Sequence, residues 1–196
     1  MQEEKIMTEQ ESLRLISRTI YEAKGYYYES GMSALMYGFS VFVCSILCYL
    51  RDEKIIAFPF HPFYLLIPVF FVLGWAQMKE DKKKKAKTFT DEAIDYVWMG
   101  FMLSALAAFA AGFAGLYYIS IAIVLILISL ATFLTGMIAK FKYHIVCSFI
   151  GWALAIVSFF ILNPNIYLLL AFDAVMVWVI PGFMLRAAFK KIHGGE

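Results

Sequence analysis

The sequence predicts an all-α fold, a polytopic six-transmembrane-helix bundle preceded by an N-terminal amphipathic cytoplasmic helix, and three observations carry that prediction. Of its 196 residues 62% are apolar and only 16% charged, against roughly 45–50% and about 25% in soluble domains, which leaves too little polar surface for water. The mean hydropathy of +0.74 gathers in uncharged runs near twenty residues long, the length at which a helix matches the roughly 30 Å hydrocarbon core of a bilayer. The basic residues, finally, fall almost entirely on alternate connections. A disordered chain, a nucleic-acid-binding domain and a disulfide scaffold are all excluded by this composition.

Residues 1–30 lack the apolar central region of a secretory signal, so this segment is expected to be retained. Thr8 and Glu11 fit a capping box, in which each side chain satisfies the other's free backbone N–H. Leu13, Ile16, Ile20, Ala23 and Tyr27 then recur at helical spacing, with Arg14, Ser17, Arg18, Glu22 and Lys24 opposite. Such a helix lies in the membrane interface, or it offers Leu13, Ile16 and Ile20 as a docking face for a protein partner or a second copy.

The first span is expected over 31–50. The chain turns apolar again after Arg51, Asp52, Glu53 and Lys54, and with Pro at its first position the second span should run 62–78, kinked at Pro68. Residues 96–139 carry no formal charge, twice the length one crossing needs, so two spans are expected at 96–113 and 116–138 with a turn near Gly112 and Gly115. The fifth span, 143–162, should stop at Asn163-Pro164-Asn165, with Asn165 capping the sixth, 166–185. Residues 187–196 form a tail, leaving no room for a soluble domain.

Under this division fifteen of the seventeen Lys and Arg residues lie on one side and only Arg51 and Lys54 on the other. Basic residues accumulate on the cytoplasmic side, so both termini are expected there. Lys82, Lys83, Lys84, Lys85 and Lys87 either fix this topology or bind anionic lipid headgroups, each cation adding about 1 kcal/mol of attraction. Thr88 or Thr90, followed by Asp91 and Glu92, suits the entrance of the third helix, where a cap and acidic residues complement the dipole.

Gly100, Ser104, Ala108 and Gly112 recur every fourth position on the third helix, a small-residue face that lets membrane helices approach closely, either inside the bundle or at a dimer seam. Ser129, Thr132 and Gly136 make a similar strip on the fourth. The three returning helices each begin with Tyr, at Tyr64, Tyr117 or Tyr118, and Tyr167, which fits an aromatic belt at the membrane surface or a helical hairpin used three times. Cys44, Cys48 and Cys147 all fall inside spans and read as small apolar packers.

Asp173 is the one formal charge well inside a span, about 10 Å from its nearer end. Inserting an acid there costs about 2.5–3.5 kcal/mol, so it must face the bundle interior. With no cation at matching depth, it is either a structural tie between helices or a proton or cation site. The three histidines are too scattered for a metal site, and the sequence holds no metalloprotease, P-loop or nucleophile-elbow motif. Neither enzymatic activity nor a cofactor is expected.

Thr135-Gly136-Met137-Ile138-Ala139-Lys140-Phe141-Lys142, Gly151-Trp152 and the terminal Ile180-Pro181-Gly182-Phe183-Met184-Leu185-Arg186 resemble segments of small uncharacterised multi-pass bacterial membrane proteins. The resemblance implies placement in a bacterial inner membrane and brings no site residue with it. Two functions follow as expectations. One is a membrane scaffold or regulatory protein acting through the N-terminal helix and lysine loop; the alternative is a small transporter or channel coupled through Asp173.

Overall fold

A computed structural model describes residues 31–81 and 89–193. The predicted docking face (Leu13, Ile16, Ile20) and the lysines at 82–85 and 87 lie outside these described residues. Every regular element among them is helical. In chain order these are α1 (Met32–Asp52), a short 3-10 helix (Pro62–Leu65) leading into α2 (Leu66–Asp81), α3 (Phe89–Phe113), α4 (Tyr117–Ile138), α5 (Lys142–Ser158), α6 (Ile166–Ala174), a π turn (Val175–Val179) and α7 (Ile180–His193).

Among the described residues four helical stretches are long and apolar enough to cross a bilayer: Met32–Asp52, Phe89–Gly112, Tyr117–Ile138 and Ile166–Ala187. Pro62–Ala76 and Lys142–Ser158 are apolar but shorter. The packing is inside out relative to a soluble protein. Phe71, Phe160, Leu103 and Ile156 stand on the surface, while Ser45, Ser129, Thr132, Ser148, Ser158 and Asp173 are buried. An apolar exterior with polar side chains set within the core is stable where the solvent is hydrocarbon, and it marks the chain as membrane-associated.

The helix bounds depart from expectation where local chemistry differs from lipid-crossing chemistry. α3 begins at Phe89, well ahead of residue 96, because Asp91 and Glu92 in its first turn stabilise a helix without being apolar. Pro68 is the third residue of α2, in its first turn, where a proline is best tolerated. α5 stops at Ser158, short of residue 162, and its end tightens through i to i−3 bonds from Phe159, Phe160 and Ile161. The Asn165 side chain forms no cap. Its backbone N–H instead donates to Asn163 Oδ1 at 2.9 Å, a local Asx turn.

The central helix is α4 rather than α3. α4 packs on α5 and α3 and also touches α6, and more than half of its apolar stretch is buried, against about a fifth of that of α3. Its small and polar strip is the cause: Gly136 admits His144 and Ile145 of α5, and Ser129 lies against Gly151. α3 turns Ile94, Phe101, Ala105, Ala108 and Gly112 inward, leaving Gly100 and Ser104 on its outer side, with none of the described residues within 4 Å of where a Gly100 side chain would begin.

α1 packs along α6, the π turn and α7. A Cβ on Gly31 would overlap the Gly182 carbonyl, and one on Gly38 would fall 2.8 Å from Trp178 Cβ, so glycine sets the spacing of this seam. The π turn precedes Pro181, whose ring would meet the carbonyl four residues back in a regular helix. Widening the turn, with the Ile180 N–H reaching back to the Val175 carbonyl, relieves that clash.

Candidate functional site

Two polar sites lie along this bundle. One is a cavity of about 380 Å3 at the end where α1 finishes and α4 and α6 begin. Arg51 and Asp52 come from the last turn of α1, His61 and Tyr64 from the start of the second helical segment, Tyr117 and Tyr118 from α4, and Tyr167 from α6. All three returning helices thus contribute their first-turn tyrosines to one space. This convergence was not legible in the sequence, where each tyrosine reads equally well as a membrane-surface anchor.

The polar groups form a continuous chain. The Tyr167 hydroxyl donates to Asp52 Oδ2 at 3.2 Å, and Tyr118 donates to the same oxygen at 3.4 Å. Arg51 reaches Asp52 Oδ1 at 3.1 Å. Because the Tyr167 proton is committed to Asp52, its oxygen accepts from His61 Nε2, 3.3 Å away. That fixes the neutral tautomer with the lone pair on Nδ1, which faces Cys48 Sγ at 3.7 Å and accepts from the thiol. The imidazole stacks on Tyr117, centroids 5.2 Å apart. Burial and the Arg51 guanidinium hold His61 below the ordinary histidine range, against a smaller opposite pull from Asp52.

Cys48 therefore has a role beyond packing, and His61, seen in sequence as a scattered histidine, anchors a network drawn from four separate segments. A signal that could have found it is the Arg51-Asp52 pair in a connection poor in basic residues, close to His61.

The second site surrounds Asp173. It is 1% exposed and its Oδ2 has no hydrogen-bond partner among the described residues. α6 turns it towards α4 and α5, where Gly151 leaves the space it occupies: a Cβ there would come within 3.0 Å of Asp173 Oδ1 and would overlap Ser129 Oγ. Ser129 does not satisfy the acid, since its hydroxyl donates to the Leu125 carbonyl at 2.7 Å. Nor does Asp173 line the cavity above it. Among the described residues two further buried polar atoms lack partners, Thr135 Oγ1 and His144 Nδ1, and they lie where α4 ends and α5 begins, beside Tyr143, whose hydroxyl faces the Cys147 thiol. Tyr143, Cys147 and Gly151 follow one another at four-residue steps along α5, from that end up to Asp173.

Of the four small residues expected to form one face of α3, Ala108 and Gly112 are buried and Gly100 and Ser104 exposed, so the described residues cover only half of that face. Among the described residues no group of three or more His, Cys, Asp or Glu side chains is placed to hold a metal ion. No protein-family model, curated protein or solved structure matches the chain.

Proposed function

We propose that this protein is a multi-pass integral membrane protein of six spans in a bacterial inner membrane, both termini cytoplasmic, that acts as a small transporter or channel coupled through Asp173. The observation that carries this reading is the Asp173 carboxyl group, buried with an oxygen that nothing bonds. An acid used only as a structural tie between helices has its acceptors filled, because an unsatisfied polar atom in a low-dielectric interior is costly. A site that takes up and releases a proton or a cation needs an open acceptor. The buried polar groups of Thr135, Tyr143 and His144 on one side, and the Asp52 network on the other, supply polar stations above and below it.

Purified protein in liposomes, with an internal pH dye and an imposed potential, tests this. Wild type conducts protons or sodium ions above empty vesicles, and Asp173→Asn, which keeps shape and polarity, abolishes the flux while remaining folded. Equal flux in the variant, or none in wild type, rejects the assignment. The exposed side of α3 at Gly100 and Ser104 favours a second reading, a scaffold that seats another helix there. It predicts crosslinks to a partner from cysteines placed at Gly100 and on the Leu13, Ile16 and Ile20 face.

A further inference from the structure

The cavity bounded by Arg51, Asp52 and the tyrosines has its own chemistry, separate from Asp173. Its two formal charges are adjacent and opposite, with the Arg51 and Asp52 side chains 34% and 19% exposed. The His61 tautomer set by Tyr167 adds no third charge. A lone cation entering here meets Arg51 as well as Asp52, and a lone anion meets both in reverse, so neither gains much. A molecule carrying both signs a few ångströms apart gains from each.

The hydrogen-bonding state narrows the class. Asp52 already accepts from Arg51, Tyr118 and Tyr167, which leaves little acceptor capacity for an ammonium that brings N–H donors. What the cavity retains is the carboxylate's charge and a wall rich in tyrosine, with Phe60 beside it. Aromatic rings around a negative charge are the surroundings that a quaternary ammonium favours, since it needs attraction and contact but no acceptor. Arg51, bonded here only to its neighbour Asp52, keeps donors for a carboxylate or phosphate. A cavity of about 380 Å3 is at the small end of ligand sites.

We propose that this cavity binds a small zwitterion in which a quaternary ammonium is joined to a carboxylate or phosphate, the ammonium lodged between Asp52 and the tyrosine rings and the anionic end on Arg51. The same chemistry comes from a free betaine or from a phosphocholine lipid headgroup.

The full-length protein in detergent micelles is titrated with glycine betaine, glycerophosphocholine, tetramethylammonium chloride and sodium acetate, following the thermal midpoint. The two zwitterions raise it saturably, and the single-charge ions need at least about tenfold higher concentration. Arg51→Gln removes the preference for betaine over tetramethylammonium, and Asp52→Asn removes that over acetate. Should Asp52→Asn not fold, Arg51→Gln decides alone, because its side chain bonds only its neighbour. Betaine affinity that falls in phosphatidylcholine nanodiscs relative to phosphatidylglycerol nanodiscs assigns the site to a lipid headgroup; equal affinity in both assigns it to a free solute. No saturable response of folded wild type to either zwitterion overturns the proposal, and so does an equal response to tetramethylammonium or acetate. Loss of flux in Asp173→Asn leaves this binding intact, so the two readings fail separately.

Discussion

At the scale of single residues, the two polar sites respond differently to substitution. Gly151 is a spacer: its missing side chain lets Ser129 and Asp173 close on α5. Gly151→Ala should destabilise the protein by about 1–3 kcal/mol, the usual penalty for overpacking, read as a lower unfolding midpoint in detergent. Ser129→Ala in the same chain should recover part of that loss, because it removes the atom that the new methyl group strikes. His61 gives a pH dependence. Its folded form holds the neutral imidazole more firmly than the unfolded chain, whose histidines titrate near 6.5. The unfolded state therefore binds more protons as pH falls through and below that value, and stability drops on acidification and is complete above it. His61→Gln should flatten the decline of the unfolding midpoint below about pH 6.5, since glutamine keeps a neutral donor and does not titrate there. An unchanged slope would mean that the network of Tyr167, Asp52 and Cys48 does not depend on a neutral ring.

At the scale of elements, three helix ends close in the same way. Ile55 bonds back to Leu50, Leu116 to Ala111 and Phe141 to Gly136, each spanning five residues, which is the Schellman arrangement with its penultimate residue left-handed. Gly115 takes that position after α3 without strain, but Lys54 and Lys140 take it after α1 and α4 with φ of 59° and 54°. A side chain there costs about 1 kcal/mol relative to glycine. Lys140→Gly should raise the unfolding midpoint by the equivalent of about 1 kcal/mol and Gly115→Ala should lower it by a similar amount. The positions of the helices were legible in the sequence because charge and proline interrupt apolar runs; their ends were not, because a run of apolar residues measures lipid contact and a helix end is decided by caps and turns. Asp91 and Glu92 were recognisable as the acidic first turn of α3 and stand there, whereas Thr90 lies inside the helix that starts at Phe89 and is not its cap. The Asn163 turn in place of an Asn165 cap was a choice between two asparagines flanking Pro164 that only backbone geometry resolves.

At the scale of the whole molecule, the sequence pattern conveyed the all-helical, membrane-associated character but not which helix is central. That role follows from which small-residue strip finds a partner, and the strips of α3 and α4 look alike in isolation. The cavity was invisible for a related reason: Arg51, His61, Tyr117 and Tyr167 belong to segments that meet only when four helix ends assemble. Asp173, by contrast, was legible at once, since one acid in an apolar stretch needs no assembly to be noticed.

The three cysteines of the chain are at most 6% exposed. The folded protein is accordingly silent towards thiol-labelling reagents, and a single cysteine introduced at an exposed position reports on itself alone. Placed at Lys54 and at Lys140, which are both exposed, it should become accessible to an impermeant maleimide in intact cells in the first case and only after lysis in the second. The native scaffold can therefore be mapped without first being stripped of its own sulfur.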